Sequence, residues 1–171
     1  DRARVSRVAD LIEPTPTDRV LDVGCGRPTF LRELREKTGV KAIGVDFRLD
    51  AFLDDPEFDG VELRSGDPRE VRLDGTFSAI TMWHYLEHDY DPVATLRALL
   101  PHTTPDTVLL IELPDARSRA RAWSGNRWAG LHTPRHTAIY TPDTMRRLLD
   151  EAGWRVIADD LRPTLDPWVL W

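Results

Sequence analysis

A chain of 171 residues, 41% hydrophobic and 30% charged, is long enough to bury one core and has ordinary globular composition, so a single domain spanning 1–171 is expected. Its 23 basic and 29 acidic side chains leave a formal charge of −6, which excludes a broad nucleic-acid footprint. The one cysteine, Cys25, excludes an internal disulfide and points to a reducing, cytoplasmic setting, while no stretch has the apolar length of a membrane span.

In chain order, "RVSRVADLIE" carries Val5, Val8, Leu11 and Ile12 at helical spacing and stops before Pro14. "DRVLDVG" is a short apolar run ending in glycine and reads as a buried strand. "TFLRELREK" follows as a helix with Phe30, Leu31 and Leu34 on one face and Gly39 as its stop. "KAIGVD", "GVELRSGD" and "FSAITMW" are expected as the second, third and fourth strands. The helix "DPVATLRALLP" separates the fourth strand from a fifth, "DTVLLIELPD". "TPDTMRRLLDEAGW" has Thr141 as cap, Pro142 at the first helical position and Gly153 as stop, and "RVIADDL" is a sixth strand. Residues 117–140 show no clear period, and unpatterned loops of that length inside a compact domain are usually functional.

Short apolar strands alternating with helices predict an α/β fold: a doubly wound, mostly parallel sheet with helices on both faces. Ligands in such sheets bind at the carboxyl ends of strands, near the point where strand order reverses. Gly24 and Gly26 stand at the first such end, where a tight turn needs positive φ or lets a ligand touch the backbone. Asp46 ends the second strand, 20 residues beyond Gly26, where a carboxylate can accept both hydroxyls of a ribose. Taken alone, the glycines fit a plain strand-to-helix turn equally well. With Asp46 added, two cofactor classes share the geometry, dinucleotides and S-adenosylmethionine. Thr29 at the third glycine position weakens the first, and Asp22, where dinucleotide folds keep an apolar residue, suits the ammonium of an amino-acid cofactor. Pro28 at the entry to the helix removes one N–H and stiffens the turn.

The stretches "VLDVGCG", "AIGVD", "SGD", "FSAITMWHYLEHDYDP" and "LLDEAGW", from about residue 18 to 157, resemble a class I S-adenosylmethionine-dependent methyltransferase of the small-molecule, bacterial type. The resemblance implies a Rossmann-like sheet of seven strands, the last of them short or missing here, since only "WVLW" remains after the sixth. It implies that Asp22, Gly24, Cys25 and Gly26 line the methionine part of the cofactor, with Cys25 serving as packing. Asp46 would hold the ribose, Phe47 would border the adenine, and Asp67, followed by Pro68, would bind its exocyclic amine. Trp83, past the fourth strand, would touch the cofactor. As a plain alternative, Asp67 could cap a turn before Pro68.

"HYLEH" places His84, Glu87 and His88 after the fourth strand and matches the H-x-x-E-H metalloprotease pattern. The following "DYDP" ends any helix too soon for that reading, and a third ligand is not identifiable. In related quinone-type O-methyltransferases an acid three before the Glu, then the Glu and His, hold a divalent metal. Here His84 replaces that acid, so a divalent metal is left open but not favoured. His132 and His136 flank Pro134 and are not a helical metal pair.

Residues 114–140 are the candidate substrate lid, and their "NRWAGLHTPRH" portion resembles a segment of bacterial methyltransferases. Arg135 could bind an acidic acceptor group and His136 could take a hydroxyl proton, with His84 the other candidate base. Trp123 and Trp128 could wall the acceptor or simply anchor the loop. The reaction expected is in-line methyl transfer to a small-molecule acceptor, on oxygen, giving S-adenosylhomocysteine. The rival readings are a non-catalytic or regulatory protein retaining the fold, and an NAD-dependent oxidoreductase. The apolar "WVLW" ending is expected either as a short seventh strand or as a face packing on a second copy in a homo-oligomer.

Overall fold

The apolar runs form the expected ladder. The computed structural model describes residues 1–158 and contains β1 (Arg19–Val23), β2 (Lys41–Asp46), β3 (Glu62–Ser65), β4 (Ala79–Trp83) and β5 (Val108–Glu112). All pairings are parallel and the order is β3-β2-β1-β4-β5, so strand order reverses between β1 and β4. Strands buried on both faces carry no polar alternation, and Val20, Leu21, Val23, Ala79 and Ile80 are accordingly buried without interruption of face. This is the Rossmann-like α/β architecture that the alternation implies.

The chain divides into two compact units. The first comprises Asp1–Trp83 and Ala98–Glu112 and holds the whole sheet. Its α1 (Arg2–Ile12) turns Val5 and Val8 inward and ends on Glu13 in the left-handed region, just before Pro14. Its α2 (Thr29–Thr38) buries Phe30, Leu31 and Leu34, and Gly39 closes it at φ 78°, where any Cβ would be strained. Pro28 is the residue before this helix and not its first residue. Its carbonyl accepts the first helical hydrogen bond, from the Arg32 N–H at 3.0 Å.

The second unit comprises His84–Arg97 and the chain from Leu113 onward. It holds a 3₁₀ turn at Leu86–His88, a short helix α4 (Arg119–Ser124) and α5 (Pro142–Glu151), and α3 (Pro92–Leu99) starts within it. Thr141 and Thr144 form a reciprocal capping box at the start of α5, with Pro142 in the first turn as its spacing implies. Trp154 Nε1 donates to the Leu96 carbonyl at 3.0 Å, and Arg97 donates to that of Glu151 at 2.8 Å, tying the segment after α5 and the end of α5 to α3.

Residues 117–140, unpatterned in sequence, hold α4 and two further 3₁₀ turns, Gly125–Arg127 and Ala129–Leu131. Elements of three to six residues are too short to show a period. The expected sixth strand does not form over residues 155–158, where Ile157 is 73% exposed, and its remainder lies outside the described residues, as does "WVLW".

Candidate functional site

At the carboxyl ends of β1 and β2 the backbone turns on Gly24 and Gly26, at φ 73° and 51°. The N–H groups of Gly24 and Cys25 both donate to the Val45 carbonyl, at 2.8 and 3.3 Å, which locks the turn to the end of β2. The Gly26 N–H donates to Asp46 Oδ2 at 2.9 Å, and Asp46 Oδ1 accepts from the Arg48 N–H at 3.3 Å. An ionised carboxylate has about four acceptor sites, so capacity remains for two hydroxyl groups. A Cβ built on Gly26 would meet nothing within 4 Å, so open space lies beside the turn. Cys25 is half-buried, and its thiol is pushed up by desolvation first and by Asp22 and Asp46 next, away from the reactive thiolate form. It rests over Gly44, where any Cβ would lie 2.7 Å from its Sγ.

Asp22 is 2% exposed and accepts a hydrogen bond from Thr81 Oγ1 at 2.7 Å, its cross-strand neighbour on β4. Burial pushes its carboxyl up to about 7, against the lowering effects of the Thr81 hydroxyl and the Arg4 guanidinium. Arg4 also pairs with Glu112 at the end of β5, at 2.6 Å, and lies 4.9 Å over the Trp83 ring. Trp83 packs edge-on to Phe30 at 5.3 Å, and its Nε1 is buried without a partner among the described residues. Phe47 is 55% exposed beyond β2. Asp67 accepts from the Arg69 backbone N–H at 2.9 Å and pairs with the Arg69 guanidinium, which holds its carboxyl below the usual range. It caps the turn that Pro68 opens, and Pro68 itself is buried.

In the second unit, His84 and Glu87 lie on the turn after β4. His84 adopts φ 57°, and its Nδ1 is 3.2 Å from Glu87 Oε1. Glu87 is 1% exposed, and its other oxygen, Oε2, has no partner among the described residues. Its carbonyl accepts from the N–H of Thr137 at 2.7 Å, and the Thr137 hydroxyl bonds it at 3.2 Å, so the later segment is strapped to this turn. His136 Nδ1 sits 2.8 Å from the Gly130 carbonyl and His88 Nδ1 sits 3.0 Å from that of Arg135. The rings of His88, His132 and His136 meet in edge-on pairs, 4.7 Å apart for His88 and His136 and 5.0 Å for His132 and His136. His132 and His136 are indeed not on a helix. A tight turn closed by the Arg135 N–H on the His132 carbonyl brings them together instead. Trp128 is buried on Gly130, with the Arg121 guanidinium 6.0 Å from its ring, whereas Trp123 is 84% exposed. Arg135 is exposed.

Comparison with known proteins bears on these two groups. A family model described as a methyltransferase domain matches residues 2–159. The chain belongs to that family. It resembles a SAM-dependent methyltransferase from Archaeoglobus fulgidus at 26% identity and a TM-score of 0.70, over 90% of this chain and 67% of that one. The mitomycin 7-O-methyltransferase MmcR shares the fold at 18% identity and a TM-score of 0.69, over 91% of this chain and 48% of its own. LepI, solved in complex with SAM, does so at 16% and 0.68, over 90% and 42%. This domain therefore spans about half or less of those last two chains. No curated protein matches the sequence.

Within this methyltransferase domain, sequence reasoning overlooked Thr81, Arg4 and the histidine cluster. The apolar run of β4 contains a single threonine, which was a usable signal for Thr81. Arg4 precedes Val5 on α1 and carries no pattern of its own. The cluster unites His88 with residues 44 and 48 positions later, which no spacing rule connects. Among the described residues no helix is long and apolar enough to cross a membrane.

Proposed function

We propose that this domain transfers a methyl group from S-adenosylmethionine to a small-molecule acceptor, on oxygen. The observation that carries the reading is the carboxyl edge of β1 and β2. There a glycine turn with open space at Gly26, a buried carboxyl at Asp22 and an acidic strand end at Asp46 fit an amino-acid nucleoside. Asp46 holds the ribose hydroxyls while keeping the Gly26 N–H. Asp22 meets the ammonium, which draws it into the ionised form. Gly24, Cys25 and Gly26 keep the turn low, Phe47 and Pro68 border the base, and Trp83 offers its unpaired Nε1. Asp67 takes the exocyclic amine on lone pairs that Arg69 leaves. When bound, the cofactor supplies an electrophilic methyl on a sulfonium and leaves as S-adenosylhomocysteine.

The lid is 114–140. Arg135 meets an acidic group of the acceptor, and Trp128 holds the loop's shape from within. His136, with Nδ1 committed to Gly130, keeps Nε2 to receive a hydroxyl proton, and His84 is the second candidate. Positioning and exclusion of water supply most of the acceleration in such a displacement. The single cysteine and the charge of −6 suit a cytoplasmic enzyme that does not act on nucleic acid.

Calorimetric titration with S-adenosylmethionine, S-adenosylhomocysteine and NAD tests the reading. Both sulfur compounds are expected to bind, and NAD is not. Asp46→Ala is expected to weaken binding by roughly a hundredfold or more, since it removes two hydrogen bonds to a charged group. Near-normal affinity in that variant overturns the ribose assignment. Binding of NAD alone favours an oxidoreductase, and binding without turnover on a broad acceptor panel favours a regulatory protein.

A further inference from the structure

We propose that Glu87, His88 and His136 form a binding site for one divalent cation of the zinc type. Donor atoms of these three side chains all lie within 4.8 Å of one another. Around one ion at about 2.1 Å the donors sit roughly 3.4 Å apart, so closure asks for at most about 1.4 Å of movement in any pair. His88 is exposed and can supply it by side-chain rotation.

Two independent features indicate that the group is built to hold a cation. Glu87 is 1% exposed, and its Oε2 has no partner among the described residues. An unsatisfied buried carboxylate oxygen is costly, and a bound cation offsets that cost directly. The second feature lies behind the rings. His88 and His136 each present Nδ1 to a backbone carbonyl, of Arg135 and Gly130. A carbonyl only accepts, so each Nδ1 carries the proton and each Nε2 keeps its lone pair. That tautomer, oriented by an outer partner, is the one that metal-bound histidine uses. His84 does for the carboxylate what the carbonyls do for the rings, since its Nδ1 contacts Oε1 and leaves Oε2 as the donor.

Two nitrogens and one carboxylate oxygen suit zinc and its transition-metal neighbours, not magnesium, which prefers oxygen and water. Three protein donors leave a fourth position for water or an acceptor oxygen, and a cation there lowers the pKa of what it binds. With the cation bound, His136 Nε2 is a ligand, and the role of proton acceptor passes to His84, the second candidate. His132, whose ring faces His136, stands beside the site. The expectation that His84 replaces a metal ligand fails to exclude a metal, because the deciding donor comes from the lid. The site is independent of which cofactor the first unit binds.

The untagged chain, stripped with chelator and titrated with zinc chloride by calorimetry, is expected to take up one equivalent. Cobalt chloride is expected to give visible d–d bands that zinc abolishes. His88→Ala and Glu87→Gln are each expected to weaken zinc binding about a hundredfold, with circular dichroism of the metal-free variants unchanged. His102→Ala, outside the cluster and bonded to the Gly75 carbonyl, is the control and is expected to bind zinc normally. The proposal is overturned by no stoichiometric uptake, by uptake that survives both substitutions, or by magnesium binding more tightly than zinc.

Discussion

The glycine turn and the 114–140 segment are both irregular backbone, yet they are held by different means. At the turn, main-chain donors of Gly24 and Cys25 converge on one carbonyl of β2, and the acidic strand end secures a third. The scaffold beneath is a buried parallel ladder. In the later segment the described residues form no ladder beyond a single bridge between Asp115 and Tyr140. Isolated main-chain bonds and side chains take its place: the Thr137 N–H and hydroxyl on the Glu87 carbonyl, His136 on Gly130, Tyr140 on the Leu86 carbonyl at 3.3 Å, and Trp128 on Gly130. A turn fixed by strands presents a constant geometry to a constant ligand. A segment held by scattered bonds tolerates substitution more readily than a ladder does, in keeping with the acceptor role proposed for it.

The sharpest test of the first region is the protonation of Asp22. Its folded value of about 7 stands well above the ordinary 3.8, because burial disfavours the charge. Between those values the folded state binds more protons than the unfolded one, so the contribution to stability is present at low pH and is lost as pH rises towards 7. At about 1.4 kcal/mol per unit the full loss is about 4 kcal/mol. Asp22→Asn keeps an acceptor for Thr81 and is expected to remove this pH dependence, read as denaturant midpoints at pH 5 and pH 8. The same group predicts that affinity for S-adenosylmethionine rises from pH 5.5 to 7.5 in the wild type and stays level in the variant. A wild-type stability profile parallel to that of Asp22→Asn would show that the carboxyl is not buried as described.

A matched pair of glycines compares the two regions directly. An alanine Cβ at Gly44 on β2 would lie 2.7 Å from Cys25 Sγ and 2.8 Å from Leu31 Cδ1. At Gly130 it would lie 2.3 Å from the Trp128 ring. Overpacking of this kind costs about 1–3 kcal/mol. Gly44→Ala, in the middle of the ladder, is expected to lower the global unfolding free energy. Gly130→Ala is expected to leave the sheet amides as protected as before and to speed hydrogen exchange only in the later segment. Equal loss of protection across both regions under Gly130→Ala would mean that they unfold as one.

How much of each region could be read in advance follows from the same contrast. Strand ends, glycines and an acidic residue 20 positions on are local or evenly spaced features, so the positive-φ turn at Gly24 and Gly26 and the strand end at Asp46 were legible in the residues alone. The burial of Asp22 could be inferred from its place within an apolar run. Pro28 was legible as the entry to the helix, because a fixed φ suits the start of one, and it stands at the cap of α2. "RVIADDL" has the composition of a strand, but a strand needs a neighbouring ladder, and residues 155–158 have none among the described residues. The later segment resisted because its order comes from contacts such as Thr137 with Glu87, 50 residues apart. Trp123 and Trp128 looked alike in sequence, and only the fold separates the anchor from the exposed ring.

That separation gives the smallest expected effect and the most selective one. Trp123 is 84% exposed at the end of α4, so Trp123→Ala is expected to change stability by no more than about 0.5 kcal/mol. Trp128 is 4% exposed, and Trp128→Ala is expected to cost the several kcal/mol typical of a buried aromatic residue. If the segment meets the acceptor, the silent substitution is the informative one, because any kinetic change it causes cannot be attributed to unfolding. Trp123→Ala should then raise the acceptor KM several-fold and leave cofactor affinity alone. Unchanged kinetics with every acceptor that is turned over would instead leave Arg135 to form the acceptor side without it. A fall in cofactor affinity would contradict the division of labour altogether, since it would make an exposed ring of the later segment part of the nucleoside's site.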